Sequence, residues 1–269
     1  MKEGETMKQL LTVMMVLALF LPMISCAEPV DAMAASPADA TKAYTVELSV
    51  VDDQTTDAEG KLLAAYRYEI PVMTPVEGAP ETVQEVADAF NGEMQTLLHS
   101  CMETGRELGT WGRQDPRVEG NILYYCDELT AAWQEKGSVI SITFQHYEER
   151  LGPHPNTSST SYLFDMERGR YINPLELADD RETFRTTVEQ RILEEIREDS
   201  ELQAMLYDGY EDTVADWNDA CVSFEEELVV TFSTYMLAPH AAGPITFRIP
   251  YEEAGLGAGG LAHLGVETK

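Results

Sequence analysis

Basic residues are scarce in this sequence: 18 lysines and arginines stand against 48 aspartates and glutamates, a formal net charge of −30. Phosphate backbones are held by clustered Lys and Arg, so nucleic acid is excluded as an expected partner, and anionic wall polymers are disfavoured on the same ground. A cationic protein, a cationic peptide or divalent ions would instead be attracted, although the same acidity also serves solubility. Cysteine is scarce too. Apart from Cys26 there are only Cys101, Cys126 and Cys221, which permit at most one internal disulfide and fit equally well as buried free thiols. No paired CxxC occurs, which removes a thiolate zinc site, and no GxSxG elbow occurs, which leaves a nucleophilic hydrolase unsupported. Long apolar runs are missing apart from Leu10 to Leu21, which is short for a bilayer span.

That one run lies where an export signal belongs. Lys8 precedes it and Pro22 ends it. Glu3 and Glu5 fit poorly in a positive n-region, so the functional start is expected at Met7. Met23-Ile24-Ser25-Cys26 then has the form of a lipobox, with Cys26 as the lipidated N-terminus of the mature chain; ordinary cleavage near Ala27 is the alternative. Residues 1–26 are thus expected to be a signal peptide, and 27–42, rich in Ala, Asp and Pro, a tether. Lys2 and Lys8 cancel Glu3 and Glu5, so the whole charge of −30 belongs to the exported part.

Beyond the tether the pattern changes twice. Tyr44 to Val51 and Leu63 to Val72 alternate apolar and polar residues, two strands with a turn over Asp52 to Gly60. Val83, Ala87, Phe90, Met94 and Leu97 then recur at helical spacing after Pro80, with Gly105 and Gly109 ending the helix. Leu123 to Trp133 is ambiguous between helix and an edge-like strand. Ser138 to Tyr147 is a strand, and 157–165 with 170–172 form a hairpin turning at Gly169. After Asp179 and Asp180, Phe184, Val188, Ile192 and Ile196 line one face of a long helix. Strands follow at Leu228 to Thr234 and Ile245 to Ile249, then a glycine-rich tail. Strands, helix and strands, twice over, predict an α+β fold.

Two loops carry more than pattern: Gly152-Pro153-His154-Pro155-Asn156, leading to Tyr162, Phe164, Asp165 and Gly169, and Leu237-Ala238-Pro239-His240-Ala241-Ala242-Gly243-Pro244, leading to Ile249-Pro250-Tyr251. In order and spacing they resemble the RsiV-like and PdaC-type family of paired extracellular domains, found in a lysozyme-sensing anti-sigma factor and in peptidoglycan deacetylases. The resemblance covers about residues 44 to 254. It implies two packed α+β domains, 43–155 and 156–254, each of antiparallel strands with one long amphipathic helix, and a loose tail over 255–269. Function is expected to be binding: no deacetylase domain follows Tyr251 and no anti-sigma segment precedes the signal.

The candidate ligand-binding residues are His154, Asn156, Asp165, Tyr235 and His240. If the two loops meet, their histidines would pair over a ligand, or hold a metal with a nearby carboxylate such as Asp165. The stronger expectation is that each histidine bonds loop backbone, and neither a metal nor a cofactor is expected. Trp111, Trp133, Trp217, Tyr235 and Tyr251 would stack on sugar rings if exposed, and otherwise belong to the core. The chain therefore reads as an extracytoplasmic lipoprotein, more binding protein than enzyme, whose partner is a cationic protein such as a lysozyme-type muramidase or a cell-wall component. An envelope enzyme or accessory acting on peptidoglycan is the rival, and a structural envelope component the third reading.

Overall fold

The computed structural model describes residues 42–118 and 123–267. The signal peptide, Cys26 and the tether lie outside them. Among the described residues no helix is long and apolar enough to cross a membrane.

The fold is α+β, with a six-stranded sheet in the order β1 (Tyr44–Thr56), β2 (Leu62–Pro75), β3 (Tyr125–Lys136), β4 (Val139–Glu149), β5 (Asn156–Asp165) and β6 (Arg170–Ile172). All pairs are antiparallel except β2 with β3. That exception corrects the expectation of purely antiparallel strands. The cause is α1 (Glu81–Gln114), a 34-residue crossover that carries the chain back to the end of the sheet it left. It also makes β3 an interior strand rather than an edge.

Gly105 and Gly109 do not end α1. A Cβ at Gly105 would lie 2.7 Å from the Tyr66 ring, one at Gly109 2.5 Å from the Thr55 hydroxyl, and one at Gly112 2.7 Å from the Leu63 carbonyl. The glycines give up helix propensity so that the helix can lie directly on β1 and β2. Phe90, Met94, Tyr68, Phe144 and Phe164 fill the core between helix and sheet.

Beyond Tyr68 and Leu129 the pairing of β2 with β3 ends although both strands run on, so that edge of β2 needs other partners. Asn91 of α1 supplies them: its Oδ1 accepts from Met73 N and its Nδ2 donates to Met73 O, each at 2.9 Å. One amide thus stands in for a missing strand. Asn91→Leu is expected to cost about 2–4 kcal/mol, because it strands a donor and an acceptor at a residue 1% exposed; a urea midpoint unchanged from wild type would refute this role.

The second half packs on the opposite side of the large sheet. α2 (Arg181–Glu198) is capped by Asp180, whose carboxylate accepts from Thr183 N at 2.8 Å, and its Phe184, Val188, Ile192 and Ile196 are all fully buried. Two short helices follow, α3 (Ser200–Met205) and α4 (Tyr210–Ala215). The three-stranded antiparallel sheet then comprises β7 (Val222–Phe224), β8 (Leu228–Phe232) and β9 (Ile245–Ile249). Val139 and Leu163 of the large sheet belong to the same core as α2 and these strands. Ser141 Oγ accepts from Phe224 N at 2.9 Å, so the halves are also pinned through backbone. The expected boundary between 155 and 156 falls at the start of β5, which continues the first sheet.

The tail is not loose. α5 (Gly257–His263) docks through Leu256, Leu261 and Leu264, which are buried, and its His263 carbonyl accepts from Ser138 N at 3.2 Å. Glycine composition alone concealed the apolar residues that seat it.

Candidate functional site

The two loops that stood out in the sequence meet. The turn after β4 carries His154 and the long β8 to β9 connection carries Tyr235 and His240. The imidazoles of His154 and His240 stack with centroids 3.7 Å apart and planes 25° apart. His154 Nε2 and the Tyr235 hydroxyl are 2.8 Å apart. The Pro155 carbonyl lies 3.0 Å from His154 Nδ1 and 2.9 Å from His240 Nε2. A carbonyl can only accept, so it fixes a proton on each of those nitrogens, and the Tyr235 hydroxyl, able to donate or accept, meets the other ring nitrogen of His154. Both histidines thus bond loop backbone, and together they form a surface platform with Tyr235.

The backbone beneath this platform is held in an uncommon conformation. Among the described residues only two non-glycines have positive φ, Leu151 at 57° and Tyr235 at 72°. One lies in each of the two loops. A bulky residue in that region is strained by on the order of 1–3 kcal/mol, and such strain persists where the surroundings impose it. Here they hold Tyr235 out into solvent at 47% exposure. The β8 to β9 loop is braced from behind by Ser233 Oγ, which accepts from Ser159 N at 2.9 Å and donates to Ser159 O at 3.1 Å. Tyr207, also exposed, is bonded through its N–H to Leu237 O at 2.9 Å, which adds a second aromatic near the same loop.

Asn156 begins β5 immediately beside Pro155. Asp165 ends the same strand, roughly 30 Å away at about 3.3 Å per residue. It is therefore not part of the platform. Its fully buried carboxylate takes Glu167 N at 2.9 Å and Arg168 N at 3.0 Å, and also faces Arg168 Nη1 at 3.2 Å and His263 Nε2 at 3.1 Å. Of the five aromatic rings considered for sugar stacking, Trp133, Trp217 and Tyr251 are buried, while Trp111 and Tyr235 are exposed.

Sequence reasoning missed two groupings. His263 Nε2 is 2.9 Å from Ser138 Oγ as well as 3.1 Å from Asp165, a serine, histidine and aspartate together. They do not form a nucleophilic triad. Both contacts are made by the same ring nitrogen, and a nitrogen that donates to a carboxylate is not the base that would take the serine proton. The set pins α5 to the β3 to β4 turn and the hairpin. The second grouping, Tyr68, Asp127, His146, Glu148 and Arg150, lies on the α1 face of the large sheet. Sequence separation hid it, since only strand register brings Asp127 to His146 and Glu148.

Cys101 and Cys221 carry free thiols, so no disulfide joins any two of Cys101, Cys126 and Cys221. Burial, with the Asp127 charge adding to it, pushes the Cys101 thiol up to about 11, which makes it a packing residue and not a nucleophile.

The chain resembles a DUF3298 family protein from Bacteroides fragilis, whose crystal structure aligns over 82% of this chain and 97% of that one, with a TM-score of 0.62 at 14% identity. A DUF3298 family protein from Pseudomonas aeruginosa aligns over 82% and 93%, with a TM-score of 0.48 at 12% identity. The first likeness establishes the fold. The sequence matches no curated protein. Residues 177–252, the segment that includes α2, the small sheet, Tyr235 and His240, match the family described as a protein of unknown function, DUF3298.

Proposed function

We propose that this chain is an exported, membrane-tethered binding protein whose His154, Tyr235 and His240 platform engages an extracellular macromolecule, a cationic muramidase of the lysozyme type being the favoured partner. The observation that carries the reading is the strained, exposed Tyr235, hydrogen-bonded to His154 of the other loop and in tilted ring contact with both histidines. A pre-ordered aromatic surrounded by polar rings is the kind of residue that anchors an interface, because little entropy is lost when it is covered. Charge supports the partner class, since a body of net charge −30 accelerates encounter with a basic protein. The RsiV-like resemblance points to the same class of partner. Among the described residues the platform histidines contact a phenol, a carbonyl and each other, with no serine hydroxyl or cysteine thiol among their bonds, which favours recognition over nucleophilic chemistry.

Calorimetric titration with lysozyme at physiological ionic strength, with cytochrome c as an equally basic control, tests the reading. Saturable binding to lysozyme alone is expected. Equal binding to both proteins would reduce the attraction to net charge, which is screened beyond about 8 Å at that ionic strength, and absence of binding would remove the muramidase.

A further inference from the structure

Among the described residues no hydrogen bond joins the Asp127, His146 and Glu148 grouping beneath α1 to the platform histidines, and the grouping has the composition of a cation site. Asp127 of β3, Glu148 of β4 and Asn156 of β5 are register partners across three adjacent strands, so their side chains leave the same face of the sheet in a row. His146 precedes Glu148 by two residues and shares that face. One potential ligand atom from each of Asp127, His146 and Glu148 lies within 4.8 Å of the others. Asp127, 1% exposed, is aimed from behind: its Oδ2 accepts from the Tyr68 hydroxyl at 2.7 Å, leaving Oδ1 at 3.0 Å from His146 Nε2. Such an outer hydrogen bond to a carboxylate is what orients a metal ligand. At the end of the row the Asn156 Oδ1 is buried and has no hydrogen-bond partner among the described residues.

The positive charge now at the centre of the row is the protein's own. Arg150 Nη2 lies 2.7 Å from Asp127 Oδ1 and 2.7 Å from Glu148 Oε1, on a side chain 29% exposed at the end of β4. A single guanidinium nitrogen between two carboxylates forgoes the paired geometry in which arginine binds strongest. Arg150 Nη1 also donates to the Cys126 carbonyl at 3.4 Å and its Cζ lies 6.0 Å from the Trp111 ring centroid, contacts it would give up on turning outward.

We propose that Asp127, His146 and Glu148 form a site for a divalent transition-metal ion of the zinc class, bound in competition with the Arg150 guanidinium. One imidazole with two carboxylates suits zinc better than magnesium or calcium, which prefer oxygen alone. Binding requires that His146 Nε2 lose the proton it shows to Asp127, passing it to solvent or holding it at Nδ1, while the guanidinium turns outward intact.

Zinc titration of the full chain, followed by calorimetry and by thermal melting, tests the proposal, with Arg150→Gln, His146→Gln and Glu148→Gln compared after their folding is checked by circular dichroism. One zinc per chain is expected, at least about tenfold tighter in Arg150→Gln because a competing charge about 4 Å away is gone, and lost in His146→Gln or Glu148→Gln; magnesium should leave the melting point unchanged. Zinc binding that persists in both ligand variants, or that is absent from wild type and Arg150→Gln alike, overturns the site. If Arg150→Gln does not fold, wild type against Glu148→Gln decides the matter.

Discussion

Asp165→Ala is expected to cost about 3–5 kcal/mol of folding stability, the scale of breaking a buried ion pair from one side. The carboxylate is fully buried and serves four donors: two backbone N–H groups of the β5 to β6 turn, the Arg168 guanidinium and His263. Removing it leaves all four without that acceptor, in a turn where Gly169 takes a φ of 61°. The loss should also loosen α5, because His263 is the polar link between that helix and the hairpin. Urea denaturation gives the first quantity, and faster amide exchange over 257–264 than over α2 gives the second. Since Asp165 is distant from the platform, binding by the folded fraction should be unchanged. A variant as stable as wild type, with α5 equally protected, would contradict this account of the residue.

Asp127→Ala is expected to cost a similar amount, about 3–5 kcal/mol. Its carboxylate faces Tyr68, His146 and Arg150 at 2.7, 3.0 and 2.7 Å, and Tyr68 is itself fully buried. Burial by itself would push this carboxyl up. The hydrogen bond and charge of His146, the Tyr68 hydroxyl and Arg150 together outweigh it, so the net direction is down from the ordinary 3.8. A carboxyl lowered in the folded state contributes its stability above the unfolded value and loses it as pH falls through the folded one. The gap between wild type and Asp127→Ala should accordingly be full at pH 6, begin to close near pH 4 and shrink further as acid is added. Asp127→Asn, which keeps an acceptor for Tyr68, should lose less, about 1–3 kcal/mol. A gap that widened on acidification would contradict the assigned charge state.

The elements that could be foreseen are those whose signal is local. The four-residue spacing of Phe184, Val188, Ile192 and Ile196, with Asp180 before it, specifies a capped helix and the face it buries, and the structure has both. Alternation specified β1, β2 and β4. The errors came where a local rule was outweighed by a distant contact. Glycines at 105 and 109 are poor helix residues, but against Tyr66 and Thr55 nothing larger fits, so the helix continues through them. Tyr125 onward has the alternation of an edge strand, yet the length of α1 delivers it to the middle of the sheet.

The candidate site was legible in the same uneven way. His154 and His240, each next to prolines in an irregular loop, were found as a pair because loop chemistry is written in short motifs. Asp165 was grouped with them by closeness in sequence, although an extended strand turns nine residues into roughly 30 Å. The Asp127, His146 and Glu148 row had the opposite fate. Its members are ordinary residues in ordinary strands, joined only by a register that no local pattern records.

The central claim is that the platform itself is the binding surface. It is tested most directly by titrating lysozyme, at physiological ionic strength, into wild type and into a His154→Ala/Tyr235→Ala double variant whose melting point shows it folded. The account predicts affinity weakened by about thirtyfold or more, the loss of an interface anchor worth roughly 2 kcal/mol; equal binding by the two proteins would place the interface elsewhere and contradict it.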